Sequence, residues 1–441
     1  MIEVKNGLLA NNLGIDESED YFGPLYRFVR DDDITDVDFN GTDLWLTNSK
    51  NERYHSDAKF SDEFIEQFTK RVANAVSKPF HKQQPILEAE TERLRITIVH
   101  ESVAISGRSI CIRKSLPYVR MTEAGMLRDK YCSKEILNLL KSCIISKQNI
   151  VFCGEPGAGK TECAKFFSQY IPANERVITI EDNPEWHYKD INPQKDCVEL
   201  KVGPQMDYTT AIKTCLRLNP KWMMLSESRS TEILKLLEGF STGVKGITTL
   251  HANDVRTVPD RMVNMGGQAR NESRMENDIY SFIDLAVLIR RKEVMEENGE
   301  SHIRRYIDQL CYFERENGTN LCHMIVEDGR VLTTTLPKGL LRKFEYAGLP
   351  DPMQPDSDSD FSSFEIPQTD TFSSDIAASD ACTTGACLSE PAREEPDIPF
   401  PASDQTVALY QKMRSEEQGG FVSFLPPRTK GTYRGLARGF A

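Results

Sequence analysis

Nowhere in these 441 residues is there an uncharged apolar run of about 18 residues, so no segment reads as a membrane-spanning helix. Any membrane role is therefore expected to be peripheral. The first twenty residues carry acids where a secretory signal needs a basic stretch and then an apolar one, so no such signal is expected. No C-x-x-C pair occurs, and the eleven cysteines are scattered. They read as reduced cytosolic thiols serving as small core residues, not as a disulfide framework. Cys382 and Cys387, with four residues between them and no nearby histidine, make at most a weak metal site. Basic residues are outnumbered as well: 54 Lys and Arg face 67 Asp and Glu, a net of −13 without a basic stripe. Such a chain binds duplex poorly at physiological salt, so direct nucleic acid binding is not expected.

The acidic excess is concentrated at one end. From Glu345 onward there are 16 acidic and 7 basic residues in a stretch rich in Ser, Thr, Pro and Asp. That composition cannot offset the entropy of folding, so residues 346–441 are expected to form a disordered acidic tail, disordered from about Gly348. Beyond Glu417 the acids stop, and Arg428, Lys430, Arg434 and Arg438 accompany Phe421, Phe424, Tyr433 and Phe440. This basic, aromatic end reads first as a solvated terminus, with a peptide docking on a partner or membrane as the alternative. Length allows two or three domains. Residues 1–30 read as an N-terminal extension. Residues 31–118 read as a small α+β N-terminal domain, with strand patterns at 34–46, 94–99 and 109–113 and a helical pattern at 61–77. A linker over 119–132 follows, and Ser133 is a candidate N-cap for the next helix.

Residues 151–161, VFCGEPGAGKT, contain the pattern G-x-x-x-x-G-K-[ST] after an apolar run and before a plausible helix. Gly154, Gly157 and Gly159 let the backbone curl so that successive N–H groups, including that of Ala158, point inward, and the following helix adds its dipole to the same anion site. Lys160 is expected on the β/γ-phosphates and the Thr161 hydroxyl on Mg²⁺, which makes ATP and Mg²⁺ the expected cofactors. A plain Gly/Pro turn leaves the pairing of Lys160 with Thr161 unexplained.

After this loop the chain alternates strand and helix, as a parallel, helix-covered sheet demands, and the fold class is α/β. Strand patterns at 176–180, 222–225 and 246–250 end at Glu181–Asp182, at Ser226–Glu227 and at His251. In such sheets ligands lie beyond the carboxyl ends of the strands. Taken alone, Glu181 and Asp182 equally suit a strand end before the Asn183–Pro184 turn, and a lone histidine suits a surface position. Glu227 suits a strand end and also the acid that polarises water and the Mg²⁺ shell of an NTPase.

GEPGAGKT at 154–161, VITIEDNPEW at 177–186, LRLNPKWMMLSESRS at 216–230 and TGVKGITTLHAND at 242–254 resemble, in order, the four signature boxes of the secretion ATPases. These are the traffic motors of type II and type IV secretion systems and of type IV and Tad-type pili. The resemblance extends over about residues 33–345 and implies a RecA-type P-loop NTPase domain at 133–345. It implies catalytic roles for Glu181 of the aspartate box, Glu227 of Walker B and His251, and, with Asp182, Thr161 and Glu227, a Mg²⁺ shell. By the same resemblance Arg93 and Arg113 match phosphate-facing arginines of the N-terminal domain, and Arg217 and Arg229 match arginines around Walker B. A guanidinium fork suits a phosphate and the charge that develops on it.

The family also implies a homo-hexamer at the cytoplasmic membrane face that pushes on an inner-membrane platform protein. Its N-terminal domain would rock on the nucleotide domain through a hinge at residues 114–128. Two departures qualify this. Ser226 stands where the family usually has Gly, with a side chain where backbone passes close to nucleotide, and Ser230 follows Arg229. The missing four-cysteine module favours the type IV secretion and Tad-like branch. A nucleotide-gated scaffold with weak hydrolysis and a DNA-handling P-loop motor are the alternatives.

Overall fold

The computed structural model describes residues 15–354 apart from 229, 268–270 and 296–300. Two sheets account for its layout. Strands β1 (Ile34–Phe39), β2 (Leu44–Asn48), β3 (Arg53–Ser56), β4 (Ile86–Glu90), β5 (Leu94–Val99) and β6 (Ser109–Lys114) form an antiparallel sheet in the order β3-β2-β1-β6-β5-β4. Alternation drives it, since Leu94, Ile96 and Ile98 on β5 and Ile110 and Ile112 on β6 turn inward while their neighbours face out. The helix Asp62–Ala75, N-capped by the Ser61 hydroxyl, buries Ile65, Phe68 and Val72, which repeat every three to four residues. Of the expected extension over residues 1–30, the described part, residues 15–30, packs into this domain. Ile15, Phe22, Leu25 and Phe28 are buried in the same core, with Phe22 packed on Phe68, so this domain begins by Ile15. The acids flanking these apolar residues hide them in the sequence.

The second sheet comprises β7 (Ile150–Cys153), β8 (Val177–Glu181), β9 (Cys197–Lys201), β10 (Trp222–Leu225), β11 (Lys245–Leu250), β12 (Leu285–Met295), β13 (Ser301–Glu316), β14 (Thr319–Glu327) and β15 (Arg330–Val331). Its order is β15-β14-β13-β12-β7-β11-β10-β8-β9, parallel from β12 to β9 and antiparallel from β12 to β15. The inner parallel strands β7, β8, β10 and β11 are buried on both faces and so read as largely apolar runs. Ile150, Phe152, Trp222 and Met224 face one core with the helices Lys134–Ile145, Lys160–Ser168 and Lys338–Tyr346. Val151, Cys153, Met223 and Leu225 face the other, with Tyr208–Arg217, Glu232–Ser241, Val258–Gly266 and Glu272–Phe282. Ser133 does cap the first of these helices, accepting from the Ile136 N–H. Nine cysteines of the described residues are free thiols, six of them buried. Among the described residues no helix is long and apolar enough to cross a membrane.

The folded chain also runs past the expected boundary at 345. Leu340 and Phe344 are buried, Leu349 packs on the same core, and Met353 is 4% exposed there, so order extends to Gln354 rather than ending near Gly348. Residues 355–441, with the basic aromatic end, and Cys382 and Cys387 lie outside the described residues. Full burial of a methionine contributes about 1.5–3 kcal/mol. A chain ending at residue 345 is therefore expected to melt several degrees below one ending at 354, measured by calorimetry, and equal melting temperatures would refute the packing role of Met353.

Candidate functional site

The register of the parallel strands builds the site. Cys153 pairs with Leu250 and Leu288, and Leu225 with Ile180, so the residues that follow each strand emerge along one edge. There lies a cleft of about 1590 Å³, walled by this edge, by β6 and the β2–β3 turn of the first sheet, and by the outer part of β13. Ligand pockets commonly span about 300–1,000 Å³, so the cleft has room for a nucleotide.

Its floor is the glycine loop. Gly157 (φ 73°) and Gly159 (φ 90°) occupy the left-handed region that residues with a side chain adopt only under strain. At Gly154 a Cβ would come within 2.4 Å of the Ile289 carbonyl oxygen, so only glycine fits against β12. Gly159 is the N-cap of Lys160–Ser168 and no side chain caps that end, which leaves first-turn N–H groups for an anion. The Lys160 ammonium donates to the carbonyls of Gly154 and Glu155, each at 3.2 Å. Burial pulls it below its ordinary value, against which the Glu227 carboxylate acts.

Glu227 and His251 meet directly. His251 Nε2 lies 2.8 Å from Glu227 Oε1, and His251 Nδ1 lies 3.2 Å from Lys160 Nζ and 3.1 Å from the Gly154 oxygen. A carboxylate accepts only and an ammonium donates only. The Nε2 proton therefore goes to Glu227, while Nδ1 stands between a donor, the Lys160 ammonium, and an acceptor, the Gly154 carbonyl. Lysine, histidine and glutamate thus form one hydrogen-bonded chain across the mouth of the loop. The Thr249 hydroxyl, donating to the Ser226 carbonyl at 2.6 Å, and the Ser228 N–H, donating to the Thr249 carbonyl at 2.9 Å, staple the two strand ends that carry it.

The aspartate box divides its two acids. Asp182 lines the cleft, whereas Glu181 turns inward, 6% exposed, and accepts from the Glu185 and Trp186 N–H groups at 2.7 and 3.0 Å. Its carboxylate organises the loop from within and does not face the phosphate loop. Glu185 takes the cleft-facing place, accepting from the Thr161 hydroxyl at 3.1 Å. Arg93 and Arg113 both line the cleft, 3.7 Å from Asp32 and 3.9 Å from Asp36. Arg217 is exposed at the end of its helix and away from the cleft, and Arg229 lies outside the described residues.

Arg304 and Arg305 on β13 also line the cleft. Arg305 donates to the Ser49 carbonyl at 3.2 Å and the Gly157 carbonyl at 3.4 Å, joining the β2–β3 turn to the phosphate loop. The register sets Arg305 opposite Arg291 and Arg304 opposite Lys292. Like charges facing across strands are costly, and a bound anion relieves that cost. The motif order contains no signal for these residues. The apolar run at 285–289 marks β12, but nothing in it reveals that its hairpin partner turns arginines toward the loop.

The residues fit the expected cofactors. Glycines, helix start and lysine suit a polyphosphate. Thr161, Asp182, Glu185 and Glu227 supply hard oxygens on the same cleft. Among the described residues no three of His, Cys, Asp and Glu gather into a closed cage. Mg²⁺ does not need one, because it is commonly bound through one or two carboxylates plus substrate phosphates.

Residues 87–338 match the family model described as type II/IV secretion system protein. An uncharacterized protein of Bacillus anthracis is 29% identical over 314 residues, 69% of this chain and 70% of that one. The type IV secretion system protein VirB11 of Bartonella quintana is 30% identical over 179 residues, 38% of this chain; the match spans about half of that relative, 49% of its length. Among solved structures, the Yersinia pseudotuberculosis ATPase DotB gives a TM-score of 0.48 at 17% identity, covering 69% of this chain and 80% of that one.

Burial raises the Glu181 carboxyl from the ordinary 4.5 to about 8, only partly offset by the two N–H groups it accepts from. Between those values the folded state holds a proton that the unfolded state has released, so stability falls as pH rises through that window. Glu181→Gln never ionises. Its melting temperature is expected to gain on the parent's steadily between about pH 5 and pH 8 in calorimetry, and a pH-independent gap would count against a buried, protonatable Glu181.

Proposed function

Because the chain belongs to the type II/IV secretion system protein family, whose model covers more than half of its length, we propose that it is a RecA-type P-loop ATPase. Its ATP hydrolysis would power a secretion, conjugation or pilus-assembly apparatus. The observation that carries this reading is the chain from Lys160 through His251 to Glu227 over the phosphate loop. The loop amides and Lys160 bind the phosphates, whose oxygens take over the lysine donors now spent on the Gly154 and Glu155 carbonyls. Glu227 orients a water and accepts its proton. His251, bridging Lys160 and Glu227, registers whether a γ-phosphate has drawn the lysine away. Arg93 and Arg113 approach from the N-terminal domain and neutralise charge that develops on the transferred group. Thr161 with Asp182 or Glu227 would hold Mg²⁺, which would supply charge neutralisation for the phosphates.

Arg217, exposed and away from its own cleft, and Arg229 fit a homo-hexamer in which they complete a neighbour's site. The ring would work peripherally at the cytoplasmic membrane face against an inner-membrane platform protein. The scaffold reading draws on Ser226, which is 4% exposed and lines the cleft beside Glu227.

Glu227→Gln is expected to leave ATP binding nearly intact while lowering turnover by roughly 10²–10⁴-fold, the scale of general-base catalysis. Lys160→Ala should abolish nucleotide binding. Phosphate release and equilibrium binding, measured together, separate the readings: parental turnover in Glu227→Gln rejects the base, and binding without turnover in the parent favours the scaffold. Sedimentation showing only monomer at all nucleotide concentrations would reject the ring.

A further inference from the structure

Lys165 lies in the phosphate-loop helix, one turn past Thr161, and its side chain is fully buried. Its three ammonium protons have three acceptors: the carbonyls of Leu116 at 2.9 Å and Tyr118 at 3.4 Å, and Glu162 Oε1 at 3.2 Å. The first two belong to the segment that leaves β6 and joins the two sheets. A charge this deeply buried is expensive, and an apolar side chain of similar volume fills a core at less cost. The contact therefore needs a reason other than packing.

One residue earlier the same segment is held from a second side. Ser115 Oγ lies 2.9 Å from Nε2 of His187, a residue 4% exposed, whose Nδ1 is 3.5 Å from Asp190. His187 sits at φ 45°, ψ 39°, a left-handed conformation that a residue with a side chain adopts at a cost. It follows by two residues Glu185, which holds the Thr161 hydroxyl. Both grips thus start from elements that touch the phosphate site. One is the helix opened by Lys160 and Thr161, and the other is the loop carrying Glu185. Both close on residues 115–118, immediately after Arg113 and Lys114 of β6.

We propose that Lys165 and His187 are positioning residues that clasp the interdomain segment 115–118. They convert the occupancy of the phosphate loop into a displacement of the N-terminal domain and of Arg113 with it. This rests on the ATPase reading and adds the route of coupling. Moving Thr161 and its helix shifts one grip, releasing Glu185 from Thr161 shifts the other, and the segment follows both.

The test uses the full chain and four proteins: the parent, Lys165→Met, Lys165→Arg and Ser115→Ala. Amide hydrogen exchange of residues 115–121 is followed with and without ADP and a non-hydrolysable ATP analogue, beside nucleotide affinity and steady-state kinetics. The parent segment should change its exchange with nucleotide. Lys165→Met and Ser115→Ala should lose most of that change and about tenfold in kcat, a typical coupling magnitude, at nearly unchanged KM and nucleotide affinity. Lys165→Arg, which keeps charge and donors, should recover part of both. A segment that responds to nucleotide equally in the parent and in both clasp variants overturns the proposal while leaving the ATPase intact. A parent that binds no nucleotide rejects the ATPase reading itself, and the coupling with it. If Lys165→Met does not fold, Ser115→Ala and Lys165→Arg decide the question alone.

Discussion

The parallel register around β7 is the constraint on which everything else depends. With Cys153 level with Leu250 and Leu288, and Leu225 level with Ile180, four loops leave the sheet at nearly one height. A slip of one residue in any of these strands would turn its side chains to the opposite face, exchanging the two cores and withdrawing a functional group from the edge. The apolar runs on the strands are thus the positioning device for the polar residues just beyond them.

What was legible in the sequence follows from this. The glycine loop, the strand ends at Asp182, Glu227 and His251, and the cleft-facing Arg93 and Arg113 are encoded locally, by residues adjacent to apolar runs or within a recognisable box. Which way a strand-end acid turns is not local. Glu181 and Glu185 trade places because the tight turn after β8 offers two N–H groups inward, which the spacing alone does not reveal. Arg305 was hidden for another reason, since it reaches the loop from a hairpin strand, 148 residues beyond Gly157, and Met353 because an isolated apolar residue in a polar stretch carries no periodicity.

The site rests on hydrogen bonds between groups whose roles are forced. Lysine donates only and carboxylate accepts only, so the histidine between them donates from Nε2, while its Nδ1 meets both the lysine and the Gly154 carbonyl. Each group is partly buried, and polar contacts count for more there than in water. Such a network is sensitive to any anion that competes for the lysine, and this is the property a phosphate sensor requires.

The β12–β13 ribbon has a mechanical meaning of its own. From Ile307 to Phe313 β13 is buried in the core, while from Arg290 to Glu293 β12 runs exposed, so the two strands form a beam clamped at its root. At about 3.4 Å per residue the 16 residues of β13 span roughly 50 Å. Arg305 fastens its outer part to Ser49 of the other domain. Any swing of that domain must either break the fastening or bend the beam. In the second case the sheet beneath the phosphate loop would take up the load as twist.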